Sequence, residues 1–198
     1  MAEQVYNLEE MNKKLRKYID SSRYYHTQGV RYTSAALAMA HRADIHLAET
    51  AGLLHDCAKC ISDTKKIKIC DKNKIEITQV ERDNPFLLHA KVGAWIAEEK
   101  YDVHDPRILD AIRHHTTGRP GMHVLEQIVF IADFIEPRRN KSRRLPEIRQ
   151  MAFRDLDECC YMILKDMLLY LNSKSGEIDG NTQEAFRFYE EVHDERRD

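Results

Sequence analysis

Glycine and proline, the residues that interrupt helices, are scarce: 7 and 5 of 198 residues. Leucine, alanine, glutamate, lysine and arginine are plentiful instead, a balance that favours helix over strand. Cysteine is present five times, and an odd number in a chain this long argues against a disulfide framework and for reduced thiols. Cys57 and Cys60 form a Cys-x-x-Cys, yet no βαβ pattern surrounds it, and Cys159-Cys160 in a helical run cannot supply a second pair. No apolar run approaches the roughly 20 residues of a membrane span. The start, Met1-Ala2-Glu3-Gln4-Val5-Tyr6-Asn7, lacks a signal peptide's basic head and apolar middle, so a soluble, cytoplasmic protein is expected. An excess of one charge is missing too. The formal net charge of -2 leaves no global basic field for nucleic acid.

Hydrophobic residues at 42% suffice for a substantial core, and the length suits one domain spanning residues 1–198. Helical periodicity recurs throughout, with no sustained strand alternation, repeat or interdomain linker, so the expected fold is all-α. Asn7 with Glu10 three places on opens a first helix containing Leu8, Met11, Leu15, Tyr18 and Ile19. Ser21-Ser22-Arg23 interrupts the pattern, and a second helix is expected from about Thr27, with His26 just before it. A third runs from about His46 to Cys57. The lysine-rich stretch 62–74 reads as a surface helix with Lys66, Lys68, Lys72 and Lys74 on a solvated face. Asp83-Asn84-Pro85 is a turn leading to a helix that begins near His89, and Asp105-Pro106 opens another that ends at His114-His115. Val124 to Glu136 is strongly apolar. A basic loop, 138–144, precedes a long helix from Leu145 to about Leu171. A turn over 176–180 and a cap at Asn181 introduce the last helix. Apolar residues on these C-terminal helices, 145–192, offer a surface for a homodimer.

Polar residues in apolar positions carry the chemistry. His55 and Asp56 stand together at the end of the apolar run Ala48 to Leu54. A carboxylate there is costly unless a cation meets it. A metal ion would answer for both residues, since imidazole and carboxylate are standard ligands. The plainer reading is a helix-end pair with Lys59 as counter-ion. Asp133 repeats the anomaly within Leu125 to Asp133, where a salt bridge to Arg113 or Arg139 is the plainer account. His26, His55, His89 and His115 all fall at helix starts or ends, where several helices can converge on one cavity. His41, His46, His104, His123 and His193 occupy polar or loop positions and read as surface residues.

The order His26, His55-Asp56, Asp133 resembles the HD superfamily of metal-dependent phosphohydrolases. Longer runs resemble the YqeK family within it: 23–30 (Arg-Tyr-Tyr-His-Thr-Gln-Gly-Val), 55–59 (His-Asp-Cys-Ala-Lys), 89–94 (His-Ala-Lys-Val-Gly-Ala), 111–122 (Ala-Ile-Arg-His-His-Thr-Thr-Gly-Arg-Pro-Gly-Met) and 132–139 (Ala-Asp-Phe-Ile-Glu-Pro-Arg-Arg). These cover about 23–139, the expected metal-site core of a helical HD bundle. Of the adjacent His114 and His115, the Thr-Thr-Gly-Arg-Pro-Gly that follows selects His115.

The resemblance implies symmetrical hydrolysis of diadenosine tetraphosphate to two ADP by a metal-activated water. His26, His55, Asp56 and Asp133 would be the ligands, for iron by family likeness, with manganese, cobalt and zinc suiting the same donors. Asp56, His89 and His115 would take part in the reaction. The two histidines would either contact phosphates, one protonating the leaving ADP, or help hold a second metal. Substrate contacts are expected from the metal-site residues His26, Asp56 and Asp133, from His89, His115 and Thr116, and from Lys59, Arg119 and Arg139. Gly29 would let the nucleotide approach the backbone. Competing readings are another HD nucleotide phosphohydrolase or phosphodiesterase, acting on a nucleoside monophosphate or dNTP, and a non-catalytic nucleotide-binding HD protein.

Overall fold

A computed structural model describes residues 5–140, 142–174 and 178–196, and among them every regular element is helical. In chain order these are α1 (Leu8–Leu15), α2 (Ser21–Ala40), α3 (Ile45–Leu54), α4 (Asp63–Asn73), α5 (Gln79–Asp83), a 3-10 turn (Pro85–Leu88), α6 (His89–Tyr101), α7 (Pro106–His114), α8 (Val124–Ile135), α9 (Leu145–Ala152), α10 (Leu156–Asn172) and α11 (Gly180–Glu195). The all-α expectation holds.

The bundle forms around α8, whose residues from Leu125 to Ala132 are all buried. A helix apolar on every side must be surrounded, and α2, α3, α7, α9 and α10 pack against this one. Helices α2 and α3 lie side by side because position 52 is glycine. A Cβ on Gly52 would stand 2.9 Å from Ser34 Oγ and 3.0 Å from the Arg31 Cα. That close approach carries the end of α3 to the start of α2, where His55 and His26 meet. Helix α3 stops at Leu54, and tight turns follow, with the amides of Cys57 and Lys59 bonding the carbonyls of Leu54 and Asp56.

Several boundaries differ from expectation. Ser21-Ser22-Arg23 does not break the chain; it is the first turn of α2, because the Asp20 carboxylate accepts the Arg23 amide at 2.8 Å and caps the helix. His26 therefore lies within α2. The expected long helix after Leu145 is two, divided at 153–155, where Asp155 accepts the Glu158 amide and starts α10 afresh. Asp179, not Asn181, caps α11, and Asn181 donates to it. The expected turn over 176–180 and the loop residue Lys141 lie partly or wholly outside the described residues. Lys66 is buried rather than solvated, its ammonium held by Asp63 at 2.7 Å. Three histidines taken for surface groups are half-buried and engaged: His41 on the Ala152 carbonyl, His46 on the Tyr6 amide, and His193 stacked on Tyr161 and bonded to Glu158. No described helix is long and apolar enough to cross a membrane.

Candidate metal centre

Five helix ends meet at one buried cluster. His26 comes from the second turn of α2, His55 and Asp56 from the end of α3, His89 from the first residue of α6, His115 from the end of α7, and Asp133 from the last turns of α8. All are buried except Asp133, which is partly exposed.

The ring orientations follow from hydrogen bonds on the outer side. Nδ1 of His55 faces the Gly52 carbonyl at 2.7 Å, Nδ1 of His89 the Phe86 carbonyl at 2.6 Å, and Nδ1 of His115 the Ile112 carbonyl at 2.7 Å. A carbonyl only accepts, so each Nδ1 carries the proton, and a neutral ring presents a bare Nε2 inward. His26 is set the same way by Glu136, whose Oε1 accepts from Nδ1 at 3.1 Å.

The inward atoms form two groups that share Asp56. In the first, Nε2 of His26 lies 3.3 Å from Nε2 of His55, 3.7 Å from Asp56 Oδ2 and 3.0 Å from Asp133 Oδ1, while His55 is 3.4 Å from Asp56 Oδ2. In the second, Nε2 of His89 and His115 are 3.2 Å apart and stand 3.3 and 3.6 Å from Asp56 Oδ1. Bare nitrogens and carboxylate oxygens at these distances repel unless a proton or a cation lies among them. Asp56 Oδ1 is moreover buried without a hydrogen-bond partner. Nitrogen and oxygen donors gathered in this way fit a divalent transition metal.

Electrostatics agree. Burial opposes a charge on Asp56, yet His55 and then His115 and His89, when protons lie on their inward nitrogens, hold its pKa well below the usual carboxylate range. Burial likewise opposes a charge on Asp133, and His26, His55 and Arg139 overcome it. Both carboxylates are anionic near neutrality. Burial and the neighbouring His115 push His89 down to about 3, so it is a neutral base.

The surroundings divide the expected contact residues. Lys59 reaches the cluster, Nζ standing 3.0 Å from His89 Nε2, and its pKa is lowered by burial against the pull of Asp56. Thr116 Oγ1 is 3.1 Å from both His89 and His115. Arg139 clasps Asp133, with Nε on its carbonyl at 2.7 Å and Nη2 on Oδ1 at 2.5 Å; Arg113, the other expected partner of Asp133, pairs with Asp110. Arg119 does not point a free charge at the cluster. Its guanidinium is spent on Glu126 in a two-pronged bond of 2.7 and 2.5 Å. His114 binds the same carboxylate at 2.9 Å, which leaves His115 as the inward histidine. The space over Gly29 is filled from within: a Cβ there would fall 2.6 Å from Glu136 Oε2, so the glycine makes room for Glu136.

Sequence reasoning missed Arg23, which bonds Asp56 Oδ2 at 2.7 Å, and Glu136. Both stand inside the quoted runs, Arg23 three before His26 and Glu136 three after Asp133, the spacing that places residues on one helix face.

Two cavities open beside the cluster. One, about 280 Å³, runs from His115, Thr116 and Asp133 past Phe130 and Phe134 to Leu145, Ile163 and Met167. The other, about 260 Å³, is bounded by Ser22, Arg23, His26, Glu136, Arg138, Arg139 and Asn140.

The HD domain family matches residues 23–138. Among curated proteins, the symmetrical bis(5'-nucleosyl)-tetraphosphatase of Bacillus subtilis (strain 168) is 36% identical over 176 residues, 89% of this chain and 94% of its own length. The protein of that name in Staphylococcus aureus (strain NCTC 8325 / PS 47) is 33% identical over 194 residues, 92% of this chain and 94% of its own. A crystal structure from Clostridium acetobutylicum, described as a predicted HD superfamily hydrolase involved in NAD metabolism, superposes with a TM-score of 0.91 at 33% identity, covering 96% of this chain and all of that one.

Proposed function

This chain belongs to the HD-domain family and, within it, to the symmetrical bis(5'-nucleosyl)-tetraphosphatases, the YqeK proteins, and we propose on that premise that it hydrolyses diadenosine tetraphosphate to two ADP. The observation that carries the reading is the convergence of bare imidazole nitrogens and anionic carboxylates on one buried point. His26, His55, Asp56 and Asp133 would hold one divalent ion, iron by family kinship, although the same donors accept manganese, cobalt or zinc. When bound, such an ion supplies Lewis-acid polarisation of a phosphoryl oxygen and a water of lowered pKa as nucleophile.

The chain's own residues do the rest. Lys59, Thr116 and His115 line one edge of the cluster, where a phosphate oxygen would receive their protons. Arg139, braced on Asp133, offers its remaining N–H groups to the polyphosphate. As the oxygen of water bonds to phosphorus, the bridging P–O bond opposite breaks and the departing ADP takes up a proton. Of the two histidines on this edge His89 is held neutral by burial, so the donor would be His115 in its doubly protonated form. The apolar trough past Phe130 and Phe134 seats the first nucleoside.

A second ion at Asp56 Oδ1, His89 and His115 is the competing arrangement, favoured by the unpartnered Oδ1. The Lys59 ammonium beside His89 already supplies positive charge there and favours one ion. Metal analysis of the purified protein decides: one ion per chain is expected, and two would make His89 and His115 ligands. Stripping with a chelator should abolish turnover, and iron or manganese should restore it. Turnover that persists without metal would overturn the reading.

Five unpaired cysteines suit a cytoplasmic setting, and residues 1–198 would form one domain. Leu169 and Tyr170, exposed near the end of α10, are the surface on which a homodimer would rest.

A further inference from the structure

Scission between the two middle phosphates of a dinucleoside tetraphosphate fixes those phosphates at the metal centre. The two ADP halves must then leave it in different directions. The apolar trough accounts for one. The second cavity lies across the Asp133–Arg139 pair from it, sharing Arg139 with the trough and His26 with the metal centre. Its character is the opposite of the trough's. Arg23, Arg138 and Arg139 face it; Arg23 and Arg139 are braced on Asp56 and Asp133, and the one carboxylate in the lining, Glu136, is committed to the His26 ring and the Arg138 amide. Its lining is polar and charged throughout, without the apolar wall that Phe130, Phe134 and Met167 give the trough. A diphosphate suits such a cleft and a nucleobase does not.

The rim supplies what the cleft lacks. Tyr25 directly precedes His26, yet the residue is 56% exposed. The Arg138 guanidinium lies 5.3 Å from that ring's centroid and has no carboxylate partner among the described residues. A planar cation over an aromatic face is a stack that an adenine can extend.

We propose that the arginine cleft and the Arg138–Tyr25 stack form the subsite for the second ADP half: Arg138 with Arg23 and Arg139 takes its diphosphate, and Tyr25 with Arg138 carries its base. The inference rests on the dinucleoside-tetraphosphate reading above and adds the feature that would select a substrate with two nucleosides. Tyr25 and Arg138 act here as specificity residues.

The test is an ADP titration of the metal-loaded full-length protein by calorimetry. The wild type should bind two ADP per chain. Tyr25→Ala should bind the weaker of the two roughly tenfold less tightly, and Tyr25→Phe should restore it. The KM for diadenosine tetraphosphate should rise by about the same factor in Tyr25→Ala while kcat moves little. Binding of a single ADP by the wild type, or two sites unchanged in Tyr25→Ala, would overturn the proposal. These outcomes are separate from the fate of the parent reading, which fails if the wild type releases no ADP from diadenosine tetraphosphate.

Discussion

Oε1 of Glu136 accepts a hydrogen bond from Nδ1 of His26 at 3.1 Å and so ties the end of α8 to the start of α2. The bond fixes which nitrogen of His26 faces the metal centre, and the carboxylate that makes it is buried. Removing such an orienting partner costs about 10- to 100-fold in metal affinity. Glu136→Gln is expected to lose affinity in that range, measured by competition with a chelator. Unchanged affinity would mean that His26 is oriented by something else.

Gly29 gives a sharper version of the same test. A Cβ at that position would lie 2.6 Å from Glu136 Oε2, so Gly29→Ala must displace the carboxylate. Metal affinity should fall as in Glu136→Gln. If metal content stays full and only KM rises, the glycine serves the nucleotide instead.

His89 sets an acid limit on the metal-free protein. Its pKa falls from 6.5 in the unfolded chain to about 3 when folded, first through burial and then through His115. Between those values the unfolded state binds the extra proton, so stability rises with pH and is lost as pH drops from about 6.5 towards 3. The depressed pKa values of Asp56 and Asp133 act in the same direction, but only below their unfolded value of 3.8. His89→Asn should therefore flatten the stability profile between pH 6.5 and 4.5 in denaturant titrations. A slope equal to the wild type's would assign the effect elsewhere.

Arg119 is paired with Glu126 inside the scaffold. Glu126 is 2% exposed and its charge is met by Arg119, His114 and the His123 amide, which hold its pKa down to about 2 against burial. Arg119→Ala leaves that carboxylate short of a partner and should cost about 1–3 kcal/mol of stability. The KM should change less than twofold in the folded variant. A large rise in KM at full stability would return Arg119 to the substrate.

Much of this was legible in the sequence because the costly residues announce themselves. His55-Asp56 and Asp133 stand in apolar runs where only a cation justifies them, and their convergence with His26 is what the structure shows. What stayed hidden depends on side-chain pairings that hydrophobic periodicity does not record. Lys66 looks like a solvated cation and Arg119 like a substrate contact until Asp63 and Glu126 are found beside them. Glu136 looks like an ordinary helix end until α2 arrives to use it. The start of α2 and the division between α9 and α10 turn on aspartate caps, Asp20 and Asp155, whose one hydrogen bond each leaves little trace in hydrophobic periodicity.

Product identity tests the central claim most directly. Iron- or manganese-loaded protein is incubated with diadenosine tetraphosphate and the nucleotides are separated by ion-exchange chromatography, with His55→Ala and Asp56→Ala alongside. The account predicts ADP as the sole nucleotide product from the wild type, and neither bound metal nor product from the two variants. AMP and ATP appearing together, or ADP formed by a variant without metal, would contradict it.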